Sequence, residues 1–180
     1  CPLRLAPTTT VNVLSAVADA LVLGVMGKRH FSAEDFAAFH PAGSLGRKLL
    51  KVHQAMHFKV GENLATIPDT LSVRDVLSHD RTAGRRAGAI LLVDATGTLT
   101  GIFTDGDLRR KLEAHPNLLD LPIADVMTKK PKTIPADALA SEALAMMNRH
   151  RIDELPVLNP AGHPLGLIDV QDMVSLKIVE

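Results

Sequence analysis

Apolar and polar positions change rhythm once along this chain, near residue 52. Upstream, Val11 to Gly27 is a nearly unbroken apolar stretch interrupted by Asn12 and Asp19, short for a bilayer span. It predicts a buried amphipathic helix that starts near Val11, with the hydroxyls of Thr8, Thr9 and Thr10 placed to cap it. Gly27, Lys28 and Arg29 suit its C-terminus, since glycine ends helices and cations complement their last carbonyls. Ser32-Ala33-Glu34-Asp35 has the pattern of a capping box, opening a short helix that ends near Phe39. Pro41 disfavours helical geometry at His40, and Ser44 caps another short helix through Leu49.

Downstream the pattern repeats. Val52-His53-Gln54-Ala55-Met56 answers to Ile123-Ala124-Asp125-Val126-Met127, and Thr66-Ile67-Pro68 to Thr133-Ile134-Pro135. Each is followed by apolar positions at helical spacing: Leu71, Val73, Val76 and Leu77, then Leu139, Ala143, Leu144 and Met147. Strand-like runs come next, Ala89 to Val93 and Leu155 to Leu158. Turn signals Asp94-Ala95-Thr96-Gly97 and Asn159-Pro160-Ala161-Gly162 lead into second strands, Leu99 to Phe103 and Leu165 to Ile168. Both units close with Gly-x-x-x-x-x-Asp running into a helix, Gly101 to Asp107 and Gly166 to Asp172. Matched positions lie about 65 to 71 residues apart and keep their order, the signature of a duplication.

Each unit therefore reads β-α-β-β-α, and the fold class is α/β (α+β). A short sheet with helices on one face leaves its other face open, so two copies are expected to pack together with pseudo-two-fold symmetry. Equivalent clefts where the repeats meet are candidate small-molecule sites. The expected division is residues 1–50 as a helical segment, 51–117 as the first repeat and 118–180 as the second.

Composition narrows the function classes. Lys plus Arg and Asp plus Glu both number 20, so no global field attracts nucleic acid or an anionic membrane. Trp and Tyr are absent and there are five Phe, a poor supply of stacking platforms for bases. The single cysteine, Cys1, excludes an internal disulfide and fits a reducing, cytoplasmic compartment. No signal-peptide pattern opens the chain, and Cys1-Pro2-Leu3 reads like the middle of a domain, so an excised piece of a longer protein is expected.

The repeats resemble CBS domains, and the tandem resembles the regulatory pair carried by many enzymes and transporters. Gly101-Ile102-Phe103-Thr104-Asp105-Gly106-Asp107 matches that family's nucleotide-binding pattern. The resemblance implies that Thr104 sits near a ligand phosphate and that Asp107 accepts from ribose hydroxyls. Both roles suit a helix N-terminus. In the second copy Asp169 replaces the hydroxyl residue three positions before Asp172, which sets a negative charge where a phosphate would lie. Leu5 to Thr10, Phe31 to Phe36 and His40-Pro41-Ala42-Gly43-Ser44-Leu45-Gly46-Arg47-Lys48-Leu49 look like the end of a sugar isomerase (SIS) domain.

A SIS end followed by paired CBS domains resembles the D-arabinose 5-phosphate isomerases. What this implies is an aldose–ketose isomerase that interconverts D-ribulose 5-phosphate and D-arabinose 5-phosphate for synthesis of Kdo, the acidic sugar of lipopolysaccharide. His40 would be a catalytic residue, and the remaining catalytic residues would precede Cys1, so this stretch alone is expected to be inactive. The parent would be a homo-oligomer, a tetramer. The CBS pair would sense AMP or a sugar nucleotide such as CMP-Kdo, with no cofactor and no metal.

The resemblance also carries candidate ligand contacts. They are Gly101, Thr104, Asp107, Arg109 and Asp172, with Thr70, Asp125 and Ile134 at matched positions of the repeats. Alternatives stay open for several. Thr104 and Asp107 suit plain helix capping, and His40 suits a structural helix terminus. His53 and His57 stand four apart, as two zinc ligands on a helix face would, but no third ligand is evident. Arg81, Arg85 and Arg86 could hold an acidic ligand or be ordinary surface charge, and Arg110 is better placed just after the Thr-Asp motif. The rival to sensing is a structural module that joins subunits and binds nothing.

Overall fold

Two four-stranded sheets organise the repeats in this computed structural model, which describes residues 6–32, 35–36, 39, 46, 49–79 and 86–176. The chain divides into two compact units, Cys1–Gly46 and Arg47–Glu180. In the first, helix α1 spans Thr8–Lys28. Pro7 precedes it and no side chain caps it, so the threonines lie inside the helix rather than ahead of it. It has no buried residue, contrary to the buried amphipathic helix expected from sequence. The reason is visible in the pattern: Val11, Leu14, Val17, Leu21, Val22, Leu23 and Val25 surround the axis instead of forming a stripe, and all are more than half exposed. At 21 residues, with an 18-residue stretch whose mean hydropathy is 1.7, α1 is long and apolar enough to cross a bilayer by length and composition alone. The expected capping box is present, with Asp35 Oδ2 accepting from the backbone N–H and the hydroxyl of Ser32, and Ser32 Oγ accepting from Asp35 N–H. The predicted helix from Ser44 falls largely outside the described residues.

The second unit runs α2 (Val52–Ala55), β1 (Phe58–Lys59), β2 (Thr66–Pro68), α3 (Val73–His79), β3 (Ala89–Val93), β4 (Leu99–Thr104) and α4 (Asp105–Ala114). A 3-10 turn at Leu118–Asp120 leads to the second copy: α5 (Ile123–Val126), β5 (Thr128–Lys129), β6 (Ile134–Pro135), α6 (Ala140–His150), β7 (Glu154–Leu158), β8 (Pro164–Asp169) and α7 (Val170–Ser175). Symmetry extends to the turns. Asp94 Oδ1 accepts from Thr96 and Thr98 N–H, and Asn159 Oδ1 accepts from Ala161 and His163 N–H. Gly97 and Gly162 close these turns at φ of 82° and 86°, where a side chain would be strained.

Strand order is β2-β3-β4-β5 in one sheet and β1-β8-β7-β6 in the other, so the repeats exchange a strand. Thr128 and Lys129 pair with Ile102 and Gly101, while Phe58 and Lys59 pair with Leu167 and Gly166. The cause lies in the short helix before each exchanged strand. Val52, Ala55 and Met56 pack with Ile134, Ala143, Leu155 and Ile168 of the second repeat, and Ile123 and Val126 pack with Ile67, Val76, Ile90 and Phe103 of the first. Backbone seams fix each crossing: Val52 N–H donates to Ala138 O and Ala140 N–H to Leu50 O, and Val73 N–H donates to Leu121 O and Ile123 N–H to Leu71 O.

A third cluster lies between the sheets: Phe58 and Leu167 from one, Ala89, Leu91 and Ile102 from the other, with Leu64. Because Ile90 and Leu92 face the helices while Ala89 and Leu91 face the opposing sheet, all five residues of β3 are buried. Each large apolar side chain so enclosed contributes about 1.5–3 kcal/mol relative to exposure. The expected face-to-face packing of the two copies thus holds, with helices on the outer faces.

Candidate functional site

A cavity of about 590 Å³ opens where the first repeat's last helix meets the second repeat. Strand β4 delivers Thr104 to the start of α4, and the chain turns helical there because Thr104 Oγ1 and Gly88 O satisfy the Asp107 and Asp105 amides that a helix start leaves unpaired. Its Oγ1 accepts from Asp107 N–H at 3.0 Å, and its own N–H and hydroxyl donate to Asp107 Oδ2 at 3.1 and 3.0 Å. Asp107 is 7% exposed, and its other oxygen accepts from Arg110 Nη2 at 2.6 Å. Capping is therefore an observed role of both residues. Asp105 N–H already donates to Gly88 O and Asp107 N–H to Thr104 Oγ1, so what the helix start turns to the cavity is Gly106 N–H and the positive end of a ten-residue helix, which favours an anion.

The opposite wall comes from the second repeat: Lys130 and Lys132 from the β5–β6 connection, Arg151 and Asp153 from the turn after α6, and Glu154 at the head of β7. Five cationic side chains, Arg109, Arg110, Lys130, Lys132 and Arg151, line the space with four carboxylates, Asp105, Asp107, Asp153 and Glu154. Lys130 and Arg151 hold left-handed backbone, φ 50° and 54°. Arg151 thereby ends α6, its N–H donating to Met147 O. Such conformations cost a non-glycine residue about 1–2 kcal/mol and persist where the surroundings impose them.

Glu154 is the most perturbed of these groups. Burial is the largest cause, and the nearby charges of Asp153, Asp169, Asp105 and Asp107 add to it, pushing the carboxyl up to about 7. No hydrogen bond or ion pair to that carboxyl occurs among the described residues.

The sequence-predicted residues divide by location. Thr104, Asp107, Arg109 and Arg110 line the cavity together. Gly101 lies behind it, mid-strand in β4, where an added Cβ would run into the Met127 side chain. Thr70 and Asp125 are exposed near another seam, where Leu71 O accepts from Ile123 N–H, and they do not line the cavity. Ile134 is a core residue of β6, 2% exposed, and borders a separate, mostly apolar hollow of about 560 Å³ with Asp137 and Leu158. Asp172 occupies the equivalent position in the second repeat and is 2% exposed. There Asp169 caps α7 by accepting from Asp172 N–H, while Asp172 Oδ2 accepts from Asp169 N–H and from His57 N–H. That last bond draws the second carboxylate into the protein interior rather than toward a ligand. Arg86 is exposed and stands apart from the cavity, whereas His40, Arg81 and Arg85 lie outside the described residues.

Helix α2 ends at Ala55, so His53 and His57 do not share a helix face as zinc ligands would. His53 Nδ1 instead lies 2.9 Å from Ala136 O, and the His57 ring meets Phe58 edge-on. Sequence reasoning missed Lys130, Lys132, Arg151 and Glu154. One signal was there for Glu154: an acidic residue heads an apolar strand where the first repeat has Ala89.

A family model described as CBS domain matches residues 60–114 and 123–178. Arabinose 5-phosphate isomerase KdsD of Pseudomonas aeruginosa is 41% identical over 180 residues, 99% of this chain and 54% of that protein. Arabinose 5-phosphate isomerase KpsF of Escherichia coli is 38% identical over 173 residues, 96% of this chain and 51% of its own length. The chain thus spans about half the length of the curated relatives it matches. Among solved structures, a CBS-domain protein from Burkholderia ambifaria is 30% identical with a TM-score of 0.59, covering 71% of this chain and 93% of that one. CBSX2, solved in complex with AMP, is 19% identical with a TM-score of 0.56, covering 72% of this chain and 96% of its own.

Proposed function

This chain belongs to the CBS-domain family, and from that membership we propose that its paired repeats sense a phosphorylated nucleoside on behalf of a sugar-phosphate isomerase. One observation carries the reading: the capped start of α4 opens into a cavity whose far wall brings Lys130, Lys132 and Arg151 within the same space as Asp153 and Glu154. A phosphate at the start of α4, beside Gly106 N–H, would be met by Lys130, Lys132 and Arg151, and Asp107 would accept from ribose hydroxyls once Arg110 moves aside. Arg110 is free to do so, since its side chain is 72% exposed. AMP, the ligand named for CBSX2, and CMP-Kdo both offer the required ribose and phosphate.

The parent activity we assign is the interconversion of D-ribulose 5-phosphate and D-arabinose 5-phosphate, on the strength of relatives bearing that enzyme's name. The product would enter Kdo and lipopolysaccharide synthesis in the cytoplasm, in a tetrameric enzyme, with His40 as a proton-transfer residue. Because the chain spans about half the length of those relatives, residues 1–180 by themselves are expected to turn over neither pentose phosphate.

A second reading has support as well. The Asp107 carboxylate is already engaged by Thr104 and Arg110, as a purely structural cap would be. On that reading the pair joins subunits and binds nothing. Calorimetric titration of AMP and CMP-Kdo into the chain, repeated on the Thr104→Ala, Asp107→Ala double variant, separates the two. Sensing requires saturable heat in the parent chain and at least a tenfold weaker response in the variant. Silence toward both nucleotides leaves the structural reading.

A further inference from the structure

Repeat symmetry places Glu154 where the first copy has Ala89, so only the second repeat carries an acid at this point. Glu154 pairs in register with Asp169 on β8, and one carboxyl oxygen lies against Gly88, where an added Cβ would collide with it. The carboxyl is thus held between the Gly88 backbone and the cavity. It meets Asp153 in the turn just before its strand, Asp169 on β8, and Asp105 and Asp107 on α4. The cations that share the cavity come from α4 (Arg109, Arg110), the β5–β6 connection (Lys130, Lys132) and the end of α6 (Arg151), and none is paired with Glu154. Arg110 already serves Asp107.

We propose that Glu154 is a proton-linked specificity residue of this cavity, admitting a phosphorylated nucleoside by taking up a proton. This rests on the sensing reading above. An ionised Glu154 faces four other carboxylates in a half-buried wall, and an incoming phosphate adds further negative charge to the same space. Protonation removes one repulsion and supplies an O–H that can donate to a ligand oxygen or ring nitrogen. The unliganded carboxyl titrates at about 7, and a bound anion raises that value further. Binding therefore consumes protons around neutrality, and affinity falls as pH rises.

The test is calorimetry of AMP and CMP-Kdo against the unmodified chain and Glu154→Gln at pH 6 and pH 8. The phosphomonoester of AMP also ionises in this window, equally with both proteins, whereas the phosphodiester of CMP-Kdo does not. Between the two pH values the unmodified chain should lose about tenfold more affinity than the variant, the limit for a group that must be protonated and titrates near 7. At pH 7, buffers of different ionisation enthalpy should reveal uptake of about half a proton per nucleotide by the unmodified chain. That second measurement decides the matter even should the variant misfold. Parallel pH profiles with no proton uptake would overturn the role of Glu154 and leave the nucleotide site standing. Absence of binding at both pH values would remove site and role together.

Discussion

At the scale of single residues, the cavity sets capping against charge. Thr104 and Asp107 were legible from sequence because a hydroxyl, a carboxylate and a glycine at fixed offsets are what a strand-to-helix turn over a ligand requires. Glu154 was not, because its chemistry depends first on burial and then, beside its neighbour Asp153, on Asp169, Asp105 and Asp107, which only packing brings close. Its titration has a consequence for stability as well. The folded chain holds this proton up to about pH 7, whereas the ordinary carboxyl value is 4.5. Native protein therefore binds more protons than unfolded chain between those values, and its stability declines as pH rises through that window. Glu154→Gln has no such proton to lose. Solvent screening of this partly buried side chain reduces the effect to about 1 kcal/mol, so the variant's melting temperature should match the parent at pH 4.5 and exceed it by about 2–4 °C at pH 8. Calorimetric scans at the two pH values check this, and an equal offset at both would point to packing instead of charge.

At the scale of elements, the duplication was easy to see and its exchange of strands was not. Hairpins β3–β4 and β7–β8 were predictable because short apolar runs flank turns with an Asx residue and a glycine at matching offsets. Strands β1 and β5 are two residues each, too short to carry a period, and their partners are chosen by the packing of α2 and α5. Each exchanged strand depends on a glycine in the strand it joins. At Gly166 a Cβ would run into the Phe58 carbonyl, with Met56 Sδ at 2.7 Å. At Gly101 it would meet only the Met127 side chain, which can move. Gly166→Ala should therefore cost about 1–3 kcal/mol, the usual range for overpacking, and Gly101→Ala clearly less. Urea denaturation of both variants tests the order. Equal losses would mean that the β1–β8 pairing yields as easily as a methionine.

At the scale of the whole molecule, exchange makes the repeats one folding unit in spite of their similarity. Cutting the chain after residue 117 leaves β4 without its β5 neighbour, and it leaves Ile67, Val76, Ile90 and Phe103 without the Ile123 and Val126 that cover them. The same cut strands Val52, Ala55, Met56 and Phe58, whose partners lie in the second repeat. Neither half can then close its core, and the cluster between the sheets, which draws Phe58 and Leu167 against Leu91 and Ile102, disappears. The site depends on the same union, because Thr104 and Asp107 come from one repeat and Lys130, Arg151 and Glu154 from the other. Residues 51–117 and 118–180 expressed separately should each lack a cooperative thermal transition, while residues 47–180 should unfold in a single step with calorimetric and van't Hoff enthalpies equal. Mixing the halves should restore both the transition and nucleotide binding together, since one interface builds both. A half that melts cooperatively alone would show that each repeat carries its own complete core, and the shared cavity would then be a contact between finished domains.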